Sequence, residues 1–335
     1  MPELSVVLIT RNQAWNVPRL VESVLRETGR LASGEIVLVD SASQDGTAIT
    51  AARYPIRVLR LRADQQLSAA AGRYVGFRQT TGDLVLFLDG DMELCPGWLD
   101  KAMAILRQQP EIAAVTGAVI DRPLDTPRDE VCVVKQADGG VRLHEVRHGG
   151  GAALYRRAVL DEVGPFNPHF YSDEEPELCV RIRRRGYRIV ETDYPAVCHY
   201  TEPHEALSTL FARWRRRLYL GPGQILRYHL GSGVFWAYLS ERGFGCLPAL
   251  ALAAGAVCLL LSLLTQVWVW FGLWGLALLA VIALTLYRKR SVHRALYTLT
   301  RRALMTAGML RGFFLKPLPA DAYPAHFDEI NSQET

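Results

Sequence analysis

Residues 83–93 read DLVLFLDGDME, and this stretch decides how the chain is expected to fold. The apolar run over 83–88 predicts a strand that is buried on both faces, as in a parallel sheet covered by helices. The run ends directly on Asp89, and one glycine separates that acid from Asp91. The pattern therefore indicates a buried strand with two carboxylates just beyond its carboxyl end.

Strand and helix patterns alternate through the first third of the chain. This alternation predicts an α/β fold with a Rossmann-like, mostly parallel sheet and helices on both of its faces. The predicted strands are 4–10, 35–39, 56–61 and 83–88, and the predicted helices between them are 17–27, 46–53 and 68–79. Farther along, β-forming residues over 111–151 predict less regular strands, and a helical pattern covers 174–185.

Polar side chains stand at the ends of these strands. Thr10 ends the first, Asp40 ends the second, and Asp89 ends the fourth. Ligands of open α/β sheets bind beyond the carboxyl ends of the strands, so these three residues mark a candidate ligand-binding edge. An acid at this edge, such as Asp40, can accept hydrogen bonds from a nucleotide base. Asp45, before Gly46, is better explained as a helix cap.

Asp89 and Asp91 are candidate metal ligands. Mg²⁺ and Mn²⁺ prefer oxygen ligands and usually leave positions open for substrate phosphates. A cation held there would neutralise charge that develops on a departing diphosphate. The sequence therefore predicts Mg²⁺ or Mn²⁺ as the cofactor.

Composition excludes several other classes. The formal net charge is only +4, which argues against an obligate nucleic-acid binder because phosphate tracking needs a stronger basic excess. The six cysteines are scattered and form no CxxC pair, which argues against a structural zinc site. The N-terminus lacks the pattern of a signal peptide, so we expect the catalytic part on the cytoplasmic side of the membrane.

Two uncharged apolar runs, 246–265 and 267–287, are each long enough to cross a bilayer, which takes about 20 residues. Basic residues flank the pair at Arg242 and over 288–294, as expected for a hairpin with both ends in the cytoplasm. Trp268, Trp270 and Trp274 near the turn resemble an interfacial aromatic belt. The alternative is a pair of buried core helices.

Two amphipathic basic segments flank these runs, at 207–218 and 292–311. Such helices lie well on an anionic headgroup surface, so membrane lipids are expected partners and the cell membrane the expected location. The alternative is a solvated helix packed on the domain. The predicted domains are a cytoplasmic domain over 1–230, a transmembrane hairpin over 231–290, and an amphipathic helix with a tail over 291–335.

Five stretches together resemble a family 2 glycosyltransferase, a resemblance that implies a GT-A-type fold and covers roughly residues 2–223. Their order along the chain is more specific than any one of them. They are SVVLITRN (5–12), VDSASQDGT (39–47), SAAAGRYVGF (68–77), LFLDGDME (86–93) and SDEEPELCVRIRRRGYRI (172–189).

The resemblance implies roles for individual residues. Asp40 matches the acid that contacts the nucleoside base, and Asp89 with Asp91 matches the metal and diphosphate motif. Arg73 lies where the family has a donor-side group, although Tyr74 replaces the usual asparagine that follows it. His199 falls where many members place a histidine that completes the metal site, and a purely structural histidine is the alternative.

The resemblance also places the catalytic base in Glu174-Glu175-Pro176-Glu177. It falls on Glu175, with Glu174 and Asp173 left open as alternatives. A base is needed because the acceptor hydroxyl must lose its proton as it attacks the anomeric carbon. One carboxylate and a direct attack give inversion of configuration.

Together these features predict an inverting glycosyltransferase that moves a sugar from a nucleotide-diphosphate donor to a lipid-linked or glycan acceptor. A processive polysaccharide synthase is an alternative, but it needs more membrane helices than two to form a channel. A non-catalytic membrane scaffold with the same fold is the other alternative, and the Asp-Gly-Asp and the Glu174 cluster speak against it.

Overall fold

The computed structural model describes residues 2–29, 31, 33–127, 141–201 and 206–331. The chain folds as two compact units. We call Met1–Glu202 together with Leu318–Thr335 the sheet unit, and Pro203–Pro317 the helical unit. The predicted domain boundaries lie at 230 and 290, whereas the two units divide after Glu202 and after Pro317. The last residues of the chain therefore belong to the sheet unit.

The elements of the sheet unit follow the predicted alternation, and where a prediction exists its bounds differ from the observed ones by at most two residues. Its strands are β1 Leu4–Thr10, β2 Gly34–Asp40, β3 Arg57–Leu61, β4 Leu84–Asp89, β5 Met92–Leu94, β6 Ile112–Arg122, β7 Leu143–Glu145, β8 Ala152–Arg156, β9 Arg188–Tyr200 and β10 Phe327–Glu329. Its helices are α1 Val17–Thr28, α2 Thr47–Ala51, α3 Ala69–Arg78, α4 Trp98–Gln108, α5 Arg157–Val163 and α6 Glu174–Arg184, with a 3₁₀ turn at Ala320–Ala322.

The strands form one sheet in the order β10-β3-β2-β1-β4-β8-β6-β9-β5, and β7 pairs with β9. Strands β3, β2, β1 and β4 are parallel neighbours. In their register Thr10 lies beside Asp40, and Ile9 lies beside Asp89. The predicted meeting of strand ends at one edge is therefore confirmed.

The other half of the sheet is mixed. Strand β8 runs antiparallel to both β4 and β6, β5 and β7 run antiparallel to β9, and only β6 and β9 are parallel. The predicted, mostly parallel sheet is thus correct for the first half alone. An antiparallel neighbour needs no helical crossover, so alternating strands and helices could not reveal this half. Residues 128–140 of the predicted irregular region lie outside the described residues.

Buried side chains on both faces explain the strand compositions. All seven residues of β1 are buried, as are the first five of β4. Helices α1 and α4 cover one face, where Trp98 is fully buried, and α6 covers the other with α5. Each strand that delivers a site residue is therefore held on two sides.

The helical unit contains two helices that are long and apolar enough to cross a membrane. They expose most of their apolar surface: only 11% and 6% of their most apolar stretches are buried. The helices of this unit are α7 Leu207–Arg215, α8 Gly221–Tyr228, α9 Gly233–Arg242, α10 Leu247–Thr265, α11 Val269–Lys289 and α12 Val292–Phe313, with a 3₁₀ turn at Gly243–Cys246.

Trp274 does not join the predicted aromatic belt. Its indole Nε1 donates to the carbonyl of Ala251, 2.8 Å away, and its ring lies against Gly255, where a Cβ would collide with it. Trp268 and Trp270 near the turn are exposed, as the belt requires. Trp274 instead fastens α10 to α11.

The C-terminal residues complete the sheet unit. Strand β10 runs antiparallel to β3 at the sheet edge. Just before it, the buried Tyr323 packs edge-on against Tyr74, and its hydroxyl donates to the carbonyl of Gln66 at 2.7 Å. The tail is therefore fixed both by strand pairing and by one buried aromatic ring.

We predict that Tyr323→Ala destabilises the chain by about 3 kcal/mol, because it empties a buried aromatic site and leaves the contact with Tyr74 unmade. Thermal unfolding of the detergent-solubilised chain would measure the loss. Ile49→Ala, which truncates an exposed side chain of the same unit, is the control. Equal melting temperatures for both variants would show that the tail adds no stability.

Candidate active site

Two loops at the carboxyl edge of the sheet are tied together by their own polar groups. The backbone N–H of Asn12 donates to Ser43 Oγ at 2.7 Å, and Asn12 Oδ1 accepts from the N–H of Gln44 at 2.9 Å. Asp45 Oδ2 accepts from the N–H of Ala14 at 3.0 Å. Asp45 Oδ1 accepts from Thr47, so this acid fixes the start of α2, as predicted, and also joins the two loops.

Of the seven non-glycine residues with positive φ in the described part of the chain, three lie at this edge. Asn12, Ala42 and Asp173 each have a φ between 52° and 60°, a region that side chains other than glycine rarely enter. Two follow β1 and β2, and the third precedes α6. Such strain persists only where the surrounding structure enforces it, and it is common at functional sites.

Asp40 lies at this edge, fully buried. Its Oδ1 accepts hydrogen bonds from the hydroxyls of Thr10, at 3.3 Å, and Ser43, and its Oδ2 accepts from the N–H of Ser43 at 2.9 Å. Burial raises the pKa of Asp40, and the hydrogen bonds from Ser43 oppose that shift. Thr10 and Asp40, the predicted donor-side pair, therefore form one hydrogen-bonded unit.

Arg73 is the centre of the site. This arginine is 2% exposed. Its Nη2 donates to Asp89 Oδ1 and to Glu175 Oε1, both at 2.6 Å, and its Nη1 donates to Glu174 Oε1 at 2.5 Å. Helix α3, capped by Ser68, carries the guanidinium, β4 carries Asp89, and α6 carries both glutamates. One buried cation thus joins three elements that are distant in sequence.

The electrostatics follow from this arrangement. Burial raises the pKa values of Asp89 and Glu174, and the Arg73 charge opposes the increase without cancelling it. Burial alone would lower the pKa of Arg73, but the three carboxylates outweigh it and raise that pKa. Burial therefore favours the protonated forms of Asp89 and Glu174, and the Arg73 guanidinium favours their ionised forms.

Asp91 and His199 form the second part of the site. Strands β5 and β9 pair so that His199 comes beside Met92, and Asp91 Oδ2 lies 3.6 Å from His199 Nε2. The other imidazole nitrogen, Nδ1, lies 2.8 Å from Asp121 Oδ1. Asp91 and then Asp121 raise the pKa of His199 to about 9, against the opposing effect of burial.

The donor set at Asp91 fits a hard divalent cation. Asp91 Oδ1 is buried and has no hydrogen-bond partner among the described residues, and a lone buried carboxylate oxygen is costly unless something binds it. Carboxylate oxygen and imidazole nitrogen both suit Mn²⁺. No three such side chains surround one point among the described residues. Mg²⁺-type ions commonly take only one or two protein carboxylates, with substrate phosphates as further ligands.

The predicted residues are therefore brought together in three groups. Asp89 joins Glu174 and Glu175 around Arg73, Asp91 joins His199, and Thr10 joins Asp40 on the neighbouring strands. Arg73, expected on the donor side, is instead buried beneath the carboxylates. Its position, on a helix face that packs against the sheet, could not be read from the motif alone.

Three contributions were not predicted. Asp121 ends the apolar part of β6, and its register with His199 could have been found only from the strand pairing. Tyr200 donates to Glu93 Oε2 at 2.6 Å, which fixes the strand that carries His199. Gly151 lies so close to Asp89 that a Cβ there would collide with Asp89 Oδ2.

Comparison with known proteins agrees with this geometry. Residues 5–164 match the family described as Glycosyl transferase family 2. The chain carries a family 2 glycosyltransferase domain. The predicted class of enzyme, a glycosyltransferase, is confirmed.

Individual relatives cover different shares of this glycosyltransferase chain. Glycosyltransferase AglE from Haloferax volcanii is 24% identical over 67% of this chain and 74% of its own length. Polypeptide N-acetylgalactosaminyltransferase 15 from Homo sapiens is 35% identical over 126 residues, and the matched part is only 19% of that protein. The second likeness is therefore confined to one part of a longer enzyme.

A solved structure shows the same fold. Mannosyltransferase PcManGT from Pyrobaculum calidifontis, in complex with GDP-Man and Mn²⁺, superposes with a TM-score of 0.58 at 22% sequence identity. The superposition covers 93% of this glycosyltransferase chain and 87% of the other. The predicted GT-A-type fold is thus confirmed.

We predict that Arg73→Gln destabilises the chain by about 3–5 kcal/mol, because buried carboxylates lose their counter-charge. The loss should be larger at pH 8 than at pH 5, since protonation at low pH removes the uncompensated charges. Denaturant unfolding at both pH values would measure it. The control is Arg185→Gln, whose side chain is 60% exposed. A loss that grows as the pH falls would contradict the cluster.

A second prediction concerns His199 in the metal-free protein. Its pKa in the folded chain, about 9, lies above the ordinary value of 6.5, so its ion pairs stabilise the fold fully below pH 6.5. This contribution is lost as the pH rises through 9. We expect the stability difference between the wild type and His199→Gln, measured in EDTA, to follow that course. The exposed His144→Gln is the control, and a difference that increases with pH would contradict the pairing.

Proposed function

We propose that the chain is an inverting glycosyltransferase that acts at the cytoplasmic face of the cell membrane. It moves a sugar from a nucleotide-diphosphate donor to a lipid-linked or glycan acceptor. The proposal depends above all on one observation: Asp89 and Glu175 bind the same guanidinium nitrogen. A diphosphate-side acid and a candidate base thereby lie close enough together to act on one bound sugar.

The donor fits the carboxyl edge of the sheet. Asp40, with its hydroxyl donors Thr10 and Ser43, lies where the nucleoside base would be recognised. The lack of a side chain at Gly151 lets the Asp89 carboxylate lie against the backbone there, where a Cβ would collide with it. The GDP-Man bound to PcManGT supports a nucleotide-sugar donor for this chain as well.

Asp91 and His199 would hold the divalent cation, with Asp89 directed at the same diphosphate. The cation, when bound, supplies positive charge that stabilises the departing diphosphate. Asp121 holds Nδ1 of His199 and so leaves Nε2 turned towards Asp91. Carboxylate partners of this kind commonly orient a ligating imidazole. The Mn²⁺ in the PcManGT complex supports Mn²⁺ as the first cation to test.

Glu175 is the proposed base. Its side chain is more exposed than that of Glu174, at 19% against 8%, so it is the one able to meet an acceptor hydroxyl. Glu174 is bound to Arg73 from the buried side and acts as a positioning residue. Asp173 begins α6 with a strained backbone and so aims the two glutamates. A single base opposite the leaving group gives inversion.

Attachment to the membrane is supported by the helical unit. Its two apolar helices expose side chains such as Leu264 and Leu279, which a core helix would bury. The basic residues that follow α11 match the positive-inside pattern. A chain that is anchored in the membrane favours an acceptor that is itself carried by a lipid.

Two variants test the chemistry. Asp91→Asn should abolish the thermal stabilisation by Mn²⁺ plus a donor, because it weakens the proposed cation site. Glu175→Gln should keep that stabilisation but lower kcat by about 10²–10⁴-fold, the usual contribution of a general base. A panel of UDP-, GDP- and dTDP-sugars, with membrane lipid extract as acceptor, would supply substrates. The anomeric configuration of the product would be read by NMR.

The matched controls are Asp100→Asn and Glu162→Gln, which change exposed acids of the same unit outside the site. Both should retain donor stabilisation and transfer. The proposal fails if Glu175→Gln keeps kcat within the range of the controls. Retention of the donor's anomeric configuration would refute inversion.

A further inference from the structure

The helical unit contains a cavity of about 880 Å³ between α10, α11 and α12. Its walls are apolar: Leu247 and Ala251 line it from α10, and Leu278 and Val281 line it from α11. A volume of this size is within the range of small-molecule sites. Because these helices also expose apolar side chains on their outer surface, the cavity suits the hydrocarbon chains of a lipid.

Basic side chains line one part of the same cavity. Lys289 comes from the last turn of α11, and Arg294, Arg301 and Arg302 come from α12. The three arginine positions are spaced by seven and eight residues from the first, so they share one face of the helix. The amphipathic helix therefore presents its cations to the cavity as a group.

The sequence from the end of α9 to the end of α12 contains no acid that could pair with Lys289, Arg301 and Arg302, and the nearest acid before it along the chain is Glu241 in α9. Residues 242–317 contain nine lysines and arginines and not one aspartate or glutamate. In the sheet unit, by contrast, the buried Arg73 and the partly buried Arg181 contact carboxylates. An anionic group from outside the segment is the natural complement to a basic cavity of this kind.

We propose that this cavity binds one anionic glycerophospholipid of the bilayer. The phosphate lies among Lys289, Arg301 and Arg302, which suit it because ammonium and guanidinium groups donate charge-assisted hydrogen bonds to phosphate oxygens. The acyl chains lie along Ala251, Leu278 and Val281. A lipid phosphate is favoured over a free one because most of the lining is apolar. The inference rests on the membrane attachment proposed above. The lipid that it assigns to this cavity is not the acceptor substrate.

Lipid retention by the full chain tests the proposal. The chain would be solubilised in a neutral detergent, exchanged free of native lipid, and incubated with phosphatidylglycerol or phosphatidylcholine before native mass spectrometry. We expect one phosphatidylglycerol to be retained and phosphatidylcholine to be lost. Arg301→Gln/Arg302→Gln should weaken retention roughly tenfold or more, since each basic residue near an anionic headgroup contributes on the order of 1 kcal/mol.

The matched control is Arg311→Gln/Lys316→Gln. It removes the same charge from the same segment at exposed positions outside the cavity lining, so it should retain the lipid. Ala277→Phe fills the cavity without changing charge and should lose the lipid. Three outcomes would overturn the proposal: equal retention of phosphatidylcholine, equal loss in the control pair, or displacement of the lipid by inorganic phosphate.

Stabilisation by Mn²⁺ and a nucleotide sugar, measured on the same samples, separates this inference from the proposed function. A chain that retains phosphatidylglycerol but is not stabilised by any donor would contradict the proposed transfer and leave the lipid site standing. A chain that is stabilised by a donor but retains both lipids equally would contradict the lipid site alone.

Discussion

The site depends on a single buried guanidinium. Three carboxylates of one small volume would repel one another strongly, and burial would drive protons onto them. Arg73 contacts all three and offsets part of that cost, so the fold can keep Asp89 beside Glu175. The contact also joins α3, β4 and α6. The same contacts of Arg73 therefore balance the charges of the site and hold three elements of the fold together.

Much of this fold could be predicted because its signals are local. Strands β1, β2 and β4 are continuous apolar runs that end on polar residues, and a parallel sheet places those ends together. The site half that contains Thr10, Asp40 and Asp89 was therefore predictable. The mixed half was not, because the partner of an antiparallel strand is set by long-range pairing. Asp121 was missed for that reason, since only its pairing with β9 brings it to His199.

The role of Arg73 shows a different limit of the sequence. A motif locates a residue at an edge, but the direction of a side chain depends on the packing of its helix. Gly72 and Gly76 let α3 approach β1 so closely that a Cβ at either position would press on Ile9 or Val7. Helix α3 therefore lies close to the sheet, and the guanidinium of Arg73 lies against the carboxylates. Because α3 packs closely on the sheet, Arg73 contacts carboxylates of the protein where a contact with the donor was expected.

The return of the chain to β3 has a consequence for biosynthesis. Strand β10 is made last, after both apolar helices have left the ribosome. Until then β3 is an open sheet edge, and such edges pair readily with other chains. The β3 edge of the nascent sheet therefore stays unpaired after both apolar helices have been synthesised. Pairing of β10 with β3 is the step that completes the sheet unit.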